Sequence, residues 1–166
     1  MSTDAIVLLK KDHQEIKRAF DAFEKAGENA HAKKGQLVDR IIELLTVHTY
    51  IENEIMYPRV REALPEVEDD VLESYEEHHV ADLLVVELSA MKPDDERFTA
   101  KTTVLIENVR HHIEEEEQEW FPQVRAGLGR KLLQELGAEM LEARKSAPRR
   151  PSQPSALKKT IDAVIK

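Results

Sequence analysis

Residues 48–58 read His-Thr-Tyr-Ile-Glu-Asn-Glu-Ile-Met-Tyr-Pro, and residues 112–122 read His-Ile-Glu-Glu-Glu-Glu-Gln-Glu-Trp-Phe-Pro. Both stretches set a Glu four residues after a His, then an aromatic-proline pair with the Pro ten residues after that His. Residues four apart lie one above the other on a helix, so His48 with Glu52, and His112 with Glu116, each aim an imidazole and a carboxylate at one point. Two such faces turned inward would surround a pair of metal ions.

The duplication reaches further upstream. Asp12-His13 lies thirty-five residues before His48, and Glu77-His78 lies thirty-four before His112. Apolar or small residues follow His13 at Ile16, Ala19, Phe20 and Phe23, and the same offsets from His78 give Ala81, Leu84, Val85 and Leu88. Counted from His79 they give Asp82, Val85, Val86 and Ser89, a poorer match. His78 is therefore the inward member of its doublet. His112 stacks with Leu105, Val109 and Glu116, whereas His111 stacks with Val104, Asn108 and Glu115, so His112 faces the core. The expected metal ligands are His13, His48, Glu52, His78, His112 and Glu116.

A lone His on an apolar stripe is usually a hydrogen-bonded core residue. Buried Glu needs a partner, and two of them at matched places, each one turn from a His, make cation binding the better reading of the set. His79 and His111 read as supporting or surface residues, and His31 as a solvent residue in a polar stretch. Glu114, Glu115 and Glu117 form a solvated charge run, one member of which could orient a ligating imidazole. The ferritin-like pattern requires Glu-x-x-His on two helices, and Glu76-Glu-His-His79 matches it only once.

Gly is absent between Gly35 and Gly127, and apolar residues there recur at helical spacing. The first helix runs from a cap at Thr3 or Asp4 to Ala26. The second begins near Gln36, kinks at Pro58 and ends near Leu64-Pro65. The third spans about 67–91, and the fourth runs from Asp95 to near Pro122. Short connections between amphipathic helices predict an all-α, antiparallel up-and-down four-helix bundle with extra C-terminal helical segments. One such segment, about 130–144, comes after the Gly-Leu-Gly turn at 127–129 and is expected to pack outside. The domain reading is a helical bundle over 1–145, then a Pro/Ser/Arg linker and short amphipathic tail over 146–166 that docks on the bundle, a partner or a second copy.

The absence of Cys excludes disulfides, thiolate metal sites and cysteine nucleophiles. A net charge of -9 argues against nucleic-acid binding. No stretch reaches transmembrane length, and no signal peptide is legible, so the expected location is cytoplasmic.

Asp12-His13, His48-x-x-x-Glu52, Glu77-His78 and His112-x-x-x-Glu116 before Phe121-Pro122 resemble, in that order, the hemerythrin-like HHE cation-binding family over about residues 4–126. The resemblance implies a bundle holding two non-haem iron ions (Fe2+/Fe3+), oxo- or hydroxo-bridged, with both Glu spanning the irons. It also implies a small diatomic ligand or peroxide as partner, with roles in oxygen binding or in the response to oxidative or nitrosative stress. The family's oxygen carriers have five His, two of them as His-x-x-x-His on the third helix. Here Ser74 and Asp82 stand four residues either side of His78. One imidazole is short, and water, a tyrosine such as Tyr50, or a doublet His are the candidates to fill its place. Three classes are then open: a di-iron protein that senses or stores O2, NO or iron; a catalase- or peroxidase-like enzyme; and a metal-free bundle.

Overall fold

The computed structural model describes residues 3–151. Among them every regular element is helical. Helix α1 spans Ala5–Lys25 and α2 spans His31–Ile51; a π-helical turn at Glu52–Met56 carries α2 into the short α3, Tyr57–Ala63. A 3-10 turn at Pro65–Val67 precedes α4, Glu68–Ser89. Helix α5 is Phe98–Glu115, and a second π turn, Glu116–Trp120, leads into α6, Phe121–Ser146. Helices α1, α2, α4 and α5 form the four-helix bundle, with α1 packed on α2 and α4 on α5.

Asp4 is the residue that caps α1, accepting the Val7 N–H at 3.1 Å, which satisfies one of the free donors of the first turn. Its carboxylate also takes two hydrogen bonds from Arg125 of α6, at 2.9 and 3.2 Å. Helix α2 starts at His31, a turn and a half before the expected Gln36. The polar run His-Ala-Lys-Lys reads as loop, yet Lys34 is buried, lying over the Phe23 ring and donating to Thr99 Oγ1 at 3.2 Å. Its aliphatic stem belongs to the core while its ammonium is paired. Helix α5 starts at Phe98 rather than Asp95, because Asp95 closes the preceding turn by accepting the Arg97 and Phe98 N–H groups.

The last helix departs most from expectation. It is not an outer appendage: Leu133, Leu136 and Met140 are fully buried in a cluster with α1, the end of α2 and α3. Gly129, at φ 77°, ψ 167°, breaks α6 into two arms, a conformation that side chains disfavour. Gly137 lets the second arm touch the N-terminus, since a Cβ there would lie 1.4 Å from the Thr3 carbonyl oxygen. Beyond Ser146, Ala147 is buried, and Arg149 and Arg150 reach back to Glu43 and Asp39 of α2. The remaining tail, 152–166, lies outside the described residues.

Two apolar clusters fill the interior. One gathers Leu9, Ile51, Met56, Val60, Trp120 and α6; the other gathers Ile16, Phe20, Ile42, Val85, Leu105 and Ile113. Along α1, His13 falls between Leu9 of the first and Ile16 of the second; His48 and His78 fall at the same boundary on their helices, and His112 lies at the end of the second cluster on α5, before Trp120 of the first. The bundle thus carries one polar layer between two dry ones.

Candidate metal centre

All six expected ligands converge in that layer. Their donor atoms fall into two groups, His13–His48–Glu52–Glu116 and Glu52–His78–His112–Glu116, with the atoms of each group within 4.8 Å of one another. Both glutamates belong to both groups. Glu116 turns Oε2 to His13 Nε2 and Oε1 to His112 Nε2, each at 3.2 Å. Glu52 Oε1 lies 2.6 Å from His48 Nε2 and 3.6 Å from His78 Nε2. The imidazoles pair as the groups do, with ring centroids 4.9 Å apart for His13 and His48 and 4.7 Å for His78 and His112.

Behind each imidazole stands an acceptor for its Nδ1. Asp12 accepts from His48 at 3.1 Å, Glu77 from His112 at 3.0 Å, and Asn53 from His78 at 2.7 Å. Glu117 comes within 3.4 Å of His13 Nδ1, an ion-pair distance without hydrogen-bond geometry. Holding the proton on Nδ1 leaves Nε2 directed at the centre. The acid of each acidic-His pair therefore orients the next helix's His, and the residue after each shared Glu serves the His of the other half. Among the charge run, Glu117 is the member aimed at an imidazole of the layer, His13.

The π turns explain a residue the pattern hid. In a regular α-helix residues five apart sit about 140° apart around the axis, so Glu52 and Tyr57 would face different ways. Each π turn closes the Tyr57 and Phe121 N–H onto the carbonyls of Glu52 and Glu116 and brings residues five apart onto one face. The expected kink at Pro58 is thus a widened turn just before it. Phe121 stacks on His13, and Tyr57 stacks on His78. The Tyr57 hydroxyl donates to Glu116 Oε1 at 2.5 Å and lies 3.3 Å from His78 Nε2. Tyr50 instead packs at the edge of an apolar cluster; the tyrosine of the site is Tyr57. The aromatic-proline pair repeated after both glutamates was the available signal. His31 and His111 are exposed and His79 is half-buried; His111 pairs with Glu115 at the surface.

The electrostatics are those of a cation site. Burial disfavours charge on His48, but the Glu52 carboxylate 2.6 Å away and the hydrogen bond to Asp12 overcome it and raise its pKa to about 10. His112 is likewise raised, against burial, by Glu116 and Glu77. Burial opposes ionisation of Glu52, yet the neighbouring imidazoles hold its pKa low. Tyr57 is pushed up by burial and by Glu116 and Glu52, which keeps it a proton donor. Among the described residues, both nitrogens of His13, His48 Nε2, both oxygens of Glu52 and Glu116 Oε2 are buried without a hydrogen bond. Each such atom costs about 1–3 kcal/mol, and cations bound between them would offset that cost. The donor set of imidazole and carboxylate fits iron, manganese or zinc.

A helical bundle carrying a buried, twofold-repeated His/Glu cation site is the class these observations define. The hemerythrin HHE cation binding domain matches residues 4–124, and the chain belongs to that family. Its structure resembles that of a hemerythrin HHE cation binding domain-containing protein from Mycobacterium kansasii, at a TM-score of 0.72 and 21% identity over 86% of each chain. It is also 25% identical, over 143 residues, to a DNA nickase from Nostoc sp.; the match covers 86% of this chain and 40% of the Nostoc protein.

Proposed function

We infer that this chain is a dinuclear non-haem iron protein that binds or reacts with O2, peroxide or NO and acts in the response to oxidative or nitrosative stress. The observation that carries this reading is the sharing of Glu52 and Glu116 between two imidazole pairs, an arrangement suited to two ions held side by side. Bound iron would supply the electrons for capture or reduction of the small molecule. Asp12, Glu77 and Asn53 fix the imidazoles, and the two apolar clusters keep bulk water from the layer. The Tyr57 hydroxyl can donate a proton beside His78 and His112.

Peroxide turnover is the second reading, favoured by a cavity of about 20 Å³ lined by His48, Thr49, His78, Asn108 and His112. That is room for one molecule of roughly water size. Reversible O2 carriage is less favoured, since among the described residues no fifth imidazole joins the site. Strand cleavage is not part of the reading: the named nickase is mostly outside the match, and the charge of -9 opposes DNA binding. The test is to add peroxide to iron-loaded protein while monitoring gas evolution and the visible spectrum. Sustained gas evolution establishes turnover, stoichiometric bleaching supports binding or sensing, and protein that takes up no iron overturns the proposal.

A further inference from the structure

The two halves of the centre are copies, but not equal ones. Around His13 and His48 both outer groups are carboxylates, Glu117 and Asp12, the latter also paired with Arg144 at 2.7 Å, and the ring stacked on His13 is Phe121, which has no polar atom. Around His78 and His112 one outer group is the neutral Asn53, and the stacked ring is Tyr57. The hydrogen bonding divides the same way. Among the described residues the buried site atoms without a hydrogen bond are both nitrogens of His13, His48 Nε2, the Glu116 oxygen facing His13, and both oxygens of the shared Glu52. The Nε2 atoms of His78 and His112 instead lie 3.0 Å from each other, and the Tyr57 hydroxyl lies 3.3 and 3.5 Å from them while donating to the Glu116 oxygen on that side.

A cation entering between His13 and His48 replaces the contacts of His48 Nε2 with Glu52 at 2.6 Å and of His13 Nε2 with Glu116 at 3.2 Å, and breaks no bond from a hydroxyl. A cation entering between His78 and His112 must displace, besides the matching His112–Glu116 contact at 3.2 Å, the contact between their Nε2 atoms and the Tyr57 bond to Glu116. Replacing a partner behind a ligating imidazole changes metal affinity about 10–100-fold, and a charge-assisted hydrogen bond given up costs about tenfold or more. The second of these weighs against the His78–His112 position, through the Tyr57 hydroxyl.

Resting on the dinuclear reading above, we propose that the two positions fill in order: the His13–His48 position is a tight anchor, and the His78–His112 position is a weaker, exchangeable one guarded by the Tyr57 hydroxyl. The small cavity agrees with this division, touching both imidazoles of the guarded position and only His48 of the anchor. Exchange and ligand access then occur on the Tyr57 side while the anchor keeps the bundle closed.

The experiment is an anaerobic Co2+ titration of metal-free protein, read by calorimetry and the visible bands of the bound ion. Wild type should take up two equivalents in two steps at least about tenfold apart. Tyr57→Phe should bring the steps together by strengthening the second; Phe121 occupies the matching place in the other half, so this change is compatible with the fold. Asn53→Asp should also strengthen the second step, and Glu117→Gln should weaken the first. Two equal or cooperative equivalents in wild type, or an unchanged gap in Tyr57→Phe, overturns the ordered filling while leaving a dinuclear site intact. Absence of Co2+ uptake by folded wild type overturns the dinuclear reading beneath it.

Discussion

Single residues carry the chemistry through burial and pairing. Glu52 and Glu116 are fully buried, tolerable only with positive partners. Glu52→Ala or His112→Ala should therefore cut iron content per chain by half or more, whereas exposed His31→Ala should leave it unchanged, as read by elemental analysis. Equal iron in all three would remove these ligands from the site. Protonation obeys the same pairs. The His48 pKa, raised from 6.5 to about 10, contributes stability to metal-free protein that is full below 6.5 and lost as pH rises through about 10. Glu52, depressed below its ordinary 4.5, contributes stability above that value that is lost as pH falls. Metal must displace the imidazole proton, so its affinity rises over the range in which metal-free protein weakens. The gap in melting temperature between metal-loaded and metal-free protein should widen from about pH 6 to about pH 9; a gap that narrows in calorimetry would contradict these assignments. His48 and Glu52 were legible from spacing alone. Tyr57 was not, because helical periodicity at the α-helical pitch turns it away from the centre.

At the level of elements, the π turns and α6 do what regular helices could not. Each π turn starts at a shared Glu and ends before an aromatic-proline pair, so one local irregularity sets both a buried carboxylate and the ring above the opposite imidazole. Helix α6 covers one end of the bundle, anchored where Gly137 meets the N-terminal segment. Gly137→Ala should destabilise by about 1–3 kcal/mol, the usual cost of overpacking, because its Cβ meets backbone rather than a movable side chain. Gly27→Ala, whose Cβ would lie 4.0 Å from its nearest neighbour, the Ala30 Cβ, should be close to neutral. Denaturant unfolding of the two variants checks this, and similar midpoints would argue against the close approach. The glycines at 127 and 129 mark the break in α6 in the sequence itself, yet the helical arm beyond them reads there as an outer segment. Apolar spacing at Leu133, Leu136 and Met140 reveals an amphipathic helix without naming the surface it covers.

Across the whole molecule, the His/Glu layer lies between two apolar clusters, and bound metal would tie the four helices together there. A ligand that binds only the folded state stabilises it by about 2.7 kcal/mol at a hundredfold excess over its dissociation constant. Chelation should therefore lower the melting temperature on the order of 5–10 °C, and an unchanged scan would mean that the layer holds no ion in solution. The sequence by itself determined the helical class, the duplicated plan and the six inward side chains, because a buried His and Glu one helical turn apart betray themselves against apolar neighbours. It could not determine what lies behind or across from those side chains. Asp12 serves His48 thirty-six residues away, Glu117 faces His13 from another helix, and Tyr57 reaches Glu116 across the bundle. These partners are brought together by helix packing and by two turns of altered pitch, and only the tertiary structure decides that two halves written alike become two unequal positions.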